Sequence, residues 1–131
     1  MLSNQVSYSL ADRRPERDLI PYAAESDHVV IAYSPDRRPR NMVRRRGLFS
    51  AESLERARGL FGVLRAVADA HGATPAQVAL AWVIRHPNVV AIVGASAVEQ
   101  VEANAAAAHL KLAADEIDAL TVAATAFRPL R

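Results

Sequence analysis

The sequence predicts an α/β fold in which a few parallel strands are joined by helical crossovers. Three observations carry this. Two short runs, Val29-Val30-Ile31-Ala32-Tyr33 and Val89-Val90-Ala91-Ile92-Val93, are continuously apolar and rich in β-branched residues, the pattern of strands buried on both faces. Around them lie segments whose apolar residues recur every three or four positions, the period of helices packed on a core. Strand and helix patterns alternate, which predicts parallel pairing with right-handed crossovers. The 131 residues suffice for a single domain over 1–131 with a real core.

Taken in order, Asn4-Gln5-Val6-Ser7-Tyr8-Ser9-Leu10 alternates polar and apolar residues and reads as a short strand. Asp12 and the pair Arg13-Arg14 form a loop. Pro15 suits a first helical position, Glu16 and Asp18 complement the positive dipole end, and Leu19, Ile20, Tyr22 and Ala23 supply a stripe. A helix over 15–25 follows, kinked or shortened at Pro21. The strand 29–33 ends at Ser34-Pro35, and residues 36–47 form an arginine-rich loop without periodicity. Cap and acidic first-turn signals at 50–55 open a helix to Ala70, stopped by His71-Gly72, with Leu54, Ala57, Leu60, Phe61, Leu64, Val67 and Ala68 facing the core. Thr74 caps and Pro75 opens a helix to Arg85, which buries Val78, Leu80, Ala81, Trp82 and Ile84 and ends at His86-Pro87-Asn88. After the strand 89–93, Ser96 is the expected N-cap of an alanine-rich helix, and a last amphipathic helix runs from Ala113 to about Ala124. Three strands make a thin sheet with two unpaired edges.

Composition excludes several classes. Half the residues are apolar and 23% are charged, so wholesale disorder is not expected. The chain has no cysteine, which removes disulfide and thiolate chemistry and fits a reducing, cytoplasmic location. The start lacks the basic and apolar regions of a signal peptide, and the longest apolar patch, 78–84, is too short to span a bilayer, so no membrane partner is expected. His28, His71, His86 and His109 lie near element ends without metal-ligand spacing, which argues against a zinc site. Fifteen of the sixteen basic residues are arginine, and six of them stand between Arg37 and Arg46. That loop lacks interleaved aromatics, so a solvated loop is expected rather than a nucleic-acid site.

The segment Val89 to Asn104 carries the clearest site signal. A buried parallel strand feeding a helix N-terminus aims free backbone N–H groups and a positive dipole end at one place, which suits an anion. Ser96, Gln100 and Asn104 are four residues apart and would share one helix face. The ordinary structural reading is a crossover whose helix has a serine cap.

Three segments together resemble the C-terminal part of the aldo-keto reductases: Asn4-Gln5-Val6-Ser7-Tyr8-Ser9-Leu10, then Ile31-Ala32-Tyr33-Ser34-Pro35, then Gly94-Ala95-Ser96 with Gln100 and Asn104. Between them, Gly72-Ala73-Thr74-Pro75-Ala76-Gln77-Val78-Ala79-Leu80-Ala81-Trp82-Val83 is similar to the helix before that family's last strand. The likeness is greatest to bacterial members and to potassium-channel beta subunits. It implies the C-terminal three βα units of a (β/α)8 TIM barrel, an incomplete barrel over 1–131. It also implies an NADP(H) cofactor, with NAD(H) left open. By the resemblance, Gln5 contacts the nicotinamide carboxamide, Tyr33 stacks on its ring and Ser34 contacts the phosphate chain. Gly94, Ser96, Gln100 and Asn104 hold the adenosine end with its 2′-phosphate. Each residue has a plainer rival role: strand polarity for Gln5, a satisfied strand-end hydroxyl for Tyr33, and a cap for Ser96. Trp82 reads as core filler.

The departures matter equally. The family's catalytic Asp, Tyr, Lys and His precede its sixth strand and match no position here, and Lys111 follows the cofactor helix. A small glycine-containing loop is replaced by the arginines of 37–46. Ala103 stands where Glu is frequent, and Gln100 stands where some members place arginine. The expected function is therefore the cofactor-binding part of an oxidoreductase, inactive in carbonyl reduction by itself. Alternatives are a non-catalytic NADP(H)- or partner-binding module, a nucleic-acid binder acting through the arginine loop, and a decayed remnant. Inner-face residues Val30, Ala32, Val90 and Ile92 are expected to be exposed, so self-association or docking of a second chain is expected too.

Overall fold

A computed structural model describes residues 2–35 and 51–127, with side chains from residue 57 onward and at residue 55 in the second segment. The arginine loop expected at 37–46 lies outside the described residues. Three strands, β1 (Ser3–Ser7), β2 (Val29–Tyr33) and β3 (Val89–Ile92), pair in parallel in the order β1-β2-β3. The helices are α1 (Leu19–Glu25), α2 (Ala51–Ala70), α3 (Pro75–Val83), α4 (Val98–Ala106) and α5 (Ala114–Ala126), with 3-10 turns at Arg14–Glu16 and Ala107–His109. No described helix is long and apolar enough to cross a membrane.

Local chemistry explains most boundaries. Thr74 accepts a hydrogen bond from the Gln77 backbone N–H at 3.3 Å, and the Gln77 side-chain oxygen accepts from the Thr74 N–H at 2.9 Å, a capping box. Gly72, at φ +60°, follows α2, and the Ala73 N–H reaches back to the Ala68 carbonyl at 2.9 Å, a Schellman stop. Asp27, at φ 54°, does the same after α1. Two expected boundaries move. The helix expected from Pro15 begins at Leu19, Pro15 sitting in the 3-10 turn, so Pro21 falls in the first turn, where its missing N–H costs nothing. β1 stops at Ser7 because Tyr8, Ser9 and Leu10 turn into the core, where Ser9 and Asp12 pair backbone to backbone.

The core lies on one side of the sheet. Val30 and Ala32 of β2 are fully covered, as is Val89 of β3 nearly so, against Ile20 and Ala23 of α1, Leu60, Leu64 and Val67 of α2, Val78, Trp82 and Val83 of α3, and Leu120 and Ala124 of α5. The expectation that Val30 and Ala32 face the barrel interior is therefore wrong. They occupy the helix side, and Ile31 and Tyr33 hold the opposite one. A run that is apolar on both faces gives no phase, and a one-residue slip exchanges the faces. Val90 and Ile92 are, as expected, on the uncovered side, 48% exposed each. Phe61 also departs from its stripe and is 40% exposed, while Trp82 is fully buried as expected.

A charged cluster ties the N-terminal third to the helices. The Glu16 carboxylate accepts from Arg13 (2.6 and 2.8 Å), Arg85 (2.7 Å) and the Tyr8 hydroxyl (2.7 Å). Arg85 lies over the Trp82 ring at 3.6 Å, and Arg13 donates to the Thr121 carbonyl and Thr125 hydroxyl of α5. Burial alone would raise the Glu16 carboxyl's pKa, but the bonds from Arg13, Arg85 and Tyr8 outweigh it and hold it below the ordinary 4.5. Burial, with Arg85 nearby, pushes the His86 imidazole below its ordinary 6.5, and its Nε2 is buried without a partner.

Both groups bind protons less readily in the folded chain than in the unfolded one, so both stabilise above their unfolded values and lose that contribution as pH falls. Thermal melts should show one decline below pH 6.5 from His86 and another below about 4.5 from Glu16. His86→Asn should remove the first decline only.

Candidate active-site rim

Because the three strands run in parallel, their C-terminal ends and the loops leaving β2 and β3 share one edge. The register decides which side chains meet there. Gln5 stands in the row Gln5–Ile31–Val90, and Ser7, Tyr33 and Ile92 form the next row towards the edge. Gln5 and Tyr33 thus occupy the same uncovered face, one strand apart (about 4.8 Å) and two residues along it (about 6.6 Å). Both are exposed, Tyr33 to 43%.

Ser34, the next residue, has φ 53°. A serine in the left-handed region costs about 1 kcal/mol, and such strain gathers at functional sites. Pro35 behind it is fully buried and anchors the turn. Nothing in the sequence singled out this strain, because Ser-Pro is compatible with several turns.

Beyond β3, the expected arrangement is met in part. Ser96 is not the N-cap of α4: Ala97 is, and it offers no side-chain acceptor. Instead the Gln100 side-chain oxygen reaches back and accepts from the Ser96 N–H at 2.8 Å and its hydroxyl at 3.2 Å. Ser96 therefore lies outside the helix and meets Gln100 through these bonds rather than by sharing its face. Gln100 and Asn104 share a face of α4 four residues apart, Gln100 exposed and Asn104 half-buried. The α4 N-terminus remains uncapped by any side chain, with its first backbone donors available to an anion. A Cβ at exposed Gly94 would meet nothing within 4 Å, so the backbone there is open to a ligand. Gln77 steadies α4 from α3 by donating to the Ala103 carbonyl at 3.0 Å.

A groove of about 540 Å³ lies between α2 and α5, lined by Gly59, Leu60, Val63, Asp118, Val122 and Ala126. Its lining is almost wholly apolar and lacks the convergent donors that a charged cofactor needs. No cluster of potential metal ligands occurs among the described residues.

Parallel strands bring polar and aromatic groups to their C-terminal edge, beside the α4 N-terminus, the edge at which (β/α) barrels place their sites. The family model for aldo/keto reductases matches residues 1–124, and the chain belongs to that family. Uncharacterised oxidoreductases of Mycobacterium tuberculosis and Mycobacterium bovis are 47% identical over 142 residues, covering 99% of this chain and 44% of theirs. Methylglyoxal reductase YeaE of Escherichia coli is 37% identical over 115 residues, covering 88% of this chain and 36% of its own. An aldo/keto reductase of Klebsiella pneumoniae in complex with NADP and acetate superposes with a TM-score of 0.72 at 36% identity, over 99% of this chain and 41% of that one. The chain thus spans less than half the length of the relatives it matches, and its three-stranded parallel α/β fold corresponds to part of their TIM barrel.

Ser34→Gly should relieve the backbone strain and raise stability by up to about 1 kcal/mol in denaturant melts, whereas Ser34→Val should lower it.

Proposed function

We propose that this chain supplies the cofactor grip of an NADP(H)-dependent aldo-keto reductase, and that its 131 residues do not reduce carbonyls by themselves. The observation that carries this reading is the register that sets Gln5 and Tyr33 on one open face, at the same edge as strained Ser34 and the uncapped α4. Related structures that hold NADP or NADPH superpose on nearly all of the chain. Gln5 hydrogen-bonds the carboxamide, Tyr33 stacks on the nicotinamide ring, and Ser34 contacts the phosphate chain. Gly94, Ser96, Gln100 and Asn104 hold the adenosine end with its 2′-phosphate, next to the α4 dipole. When bound, the cofactor supplies a hydride to a carbonyl carbon.

A proton donor is the part these residues lack. Carbonyl reduction needs a general acid within hydrogen-bond reach of the substrate oxygen. Tyr8 is fully buried on the helix side, and burial pushes its phenol far above the ordinary 10. Tyr33 is committed to the ring face, Tyr22 lies on α1, and Lys111 follows the 3-10 turn after α4. The acid and its partners come from the βα units that precede this segment in the relatives.

One further observation favours completion by other strands. Val90 and Ile92 leave an apolar open face, β1 and β3 have free edges, and α4 has no buried residue, with Val98 and Val101 68% and 57% exposed. A second chain, or self-association, covers these surfaces in this reading.

Titration calorimetry tests the grip. NADPH should bind saturably in the micromolar to millimolar range, and Asn104→Ala should weaken it about fivefold or more by removing hydrogen bonds to a charged group. No heat at millimolar NADPH sinks the proposal. Turnover of an aldehyde with NADPH by the pure 131-residue chain contradicts its second half.

A further inference from the structure

β1 carries Gln5 but is poorly held for a strand with that task. Among the described residues it is an edge, paired only to β2, and none of its five side chains is fully buried. The first fully buried residue after it is Tyr8, one position beyond its end. The Tyr8 ring packs on Trp82 at 5.8 Å, and its hydroxyl donates to Glu16 at 2.7 Å while accepting from Arg85 at 2.9 Å. Neither partner is free to follow a moving strand. Glu16 is also gripped by Arg13, itself bonded to α5, and Arg85 bonds the Trp82 carbonyl at 2.6 Å. The phenol therefore meets a charged pair fixed to α3 and α5, and charge-assisted bonds of this kind are short and directional.

We propose that Tyr8, clamped between Glu16 and Arg85, is a positioning residue for the nicotinamide end of the site: it fixes the C-terminal end of β1 and thereby where Gln5 stands on the open face. The inference rests on the cofactor reading above and deepens it by dividing the site into two independently held ends. The adenosine end depends on the Ser96–Gln100 bonds and on Gln77 holding Ala103, none of which touches the Tyr8 cluster. A pivot three residues from Gln5, at the first residue past the end of β1, bears on its position through the short intervening backbone rather than through side-chain packing. The helix layer thus sets the geometry of a face that it does not cover.

Tyr8→Phe tests this, because the phenyl ring keeps the packing on Trp82 and removes only the hydroxyl. Three readings are made on the 131-residue chain and its variant: amide hydrogen exchange along β1, calorimetry with NADPH, and calorimetry with 2′,5′-ADP, which lacks the nicotinamide. Expected are faster exchange at residues 4–7 with β2 and β3 unchanged, about fivefold weaker NADPH binding, and unchanged 2′,5′-ADP binding. Glu16→Gln, which keeps an acceptor for the phenol, should fall between wild type and Tyr8→Phe in both β1 exchange and NADPH affinity. Equal weakening of both ligands, or unchanged NADPH affinity and β1 protection, overturns the proposal and leaves the clamp a purely structural one. Failure of the wild-type chain to bind NADPH overturns the cofactor reading instead, and unaltered β1 exchange in Tyr8→Phe would then still refute the positioning role by itself.

Discussion

A parallel sheet with one covered face is the constraint from which the rest follows. Val30, Ala32 and Val89 are sealed beneath α1, α2, α3 and α5, while Gln5, Ile31, Tyr33, Val90 and Ile92 look the other way with no layer over them among the described residues. Parallel sheets are ordinarily covered on both faces, which sets this face apart. It is also the face on which a barrel builds its interior, and its C-terminal edge is where such barrels place their chemistry. The same alternation that buries Val30 therefore delivers Tyr33 to the rim.

The helical layer is held by chemistry of two kinds. Apolar burial around Trp82, Leu60, Leu64 and Leu120 supplies most of the stabilisation. Orientation comes from polar contacts at the margins: the Glu16 cluster at the end of β1, the Asn88 side chain donating to the Ile20 carbonyl at 3.1 Å, and the His71 ring within 2.9 Å of the Glu116 carboxylate between α2 and α5. Glu116 also accepts from the Ala113 N–H at 2.8 Å, capping α5. These contacts join elements that adjoin in space but not in sequence, so they set angles that packing alone leaves loose.

Much of this was legible in the sequence, and the misses have physical reasons. The strands at Val29 and Val89 announce themselves by β-branched runs, and Thr74-Pro75 and Gly72 mark helix ends by backbone chemistry that depends on few neighbours. Phase was not legible: in a doubly apolar run, nothing tells Val30 from Ile31 until the register is known. Ser96 looked like a cap because serine is a good one, yet Gln100 competes for its N–H and the helix starts one residue later. The Ser34 strain and the Glu16 cluster are tertiary outcomes. An Arg13–Glu16 pair at spacing three is an ordinary surface pattern, and only the approach of Arg85 and Tyr8 makes it a junction. Spacing alone marks Ser96, Gln100 and Asn104, whereas Gln5, Tyr33, Ser34 and Gly94 rest on the family resemblance, and the structure adds that Gln5 and Tyr33 share a face.

Membership of the aldo/keto reductases gives the rim its meaning, and the chain spans less than half the length of the relatives it matches. The central claim is that a nicotinamide dinucleotide lies along the C-terminal edge of the sheet. Nitrogen-15 chemical-shift mapping with NADPH reads this directly. The account predicts perturbations at Gln5, Tyr33, Ser34, Gly94, Ser96, Gln100 and Asn104, with the α2–α5 groove silent. Shifts centred on Gly59, Asp118 and Val122, or none at saturating cofactor, would contradict it.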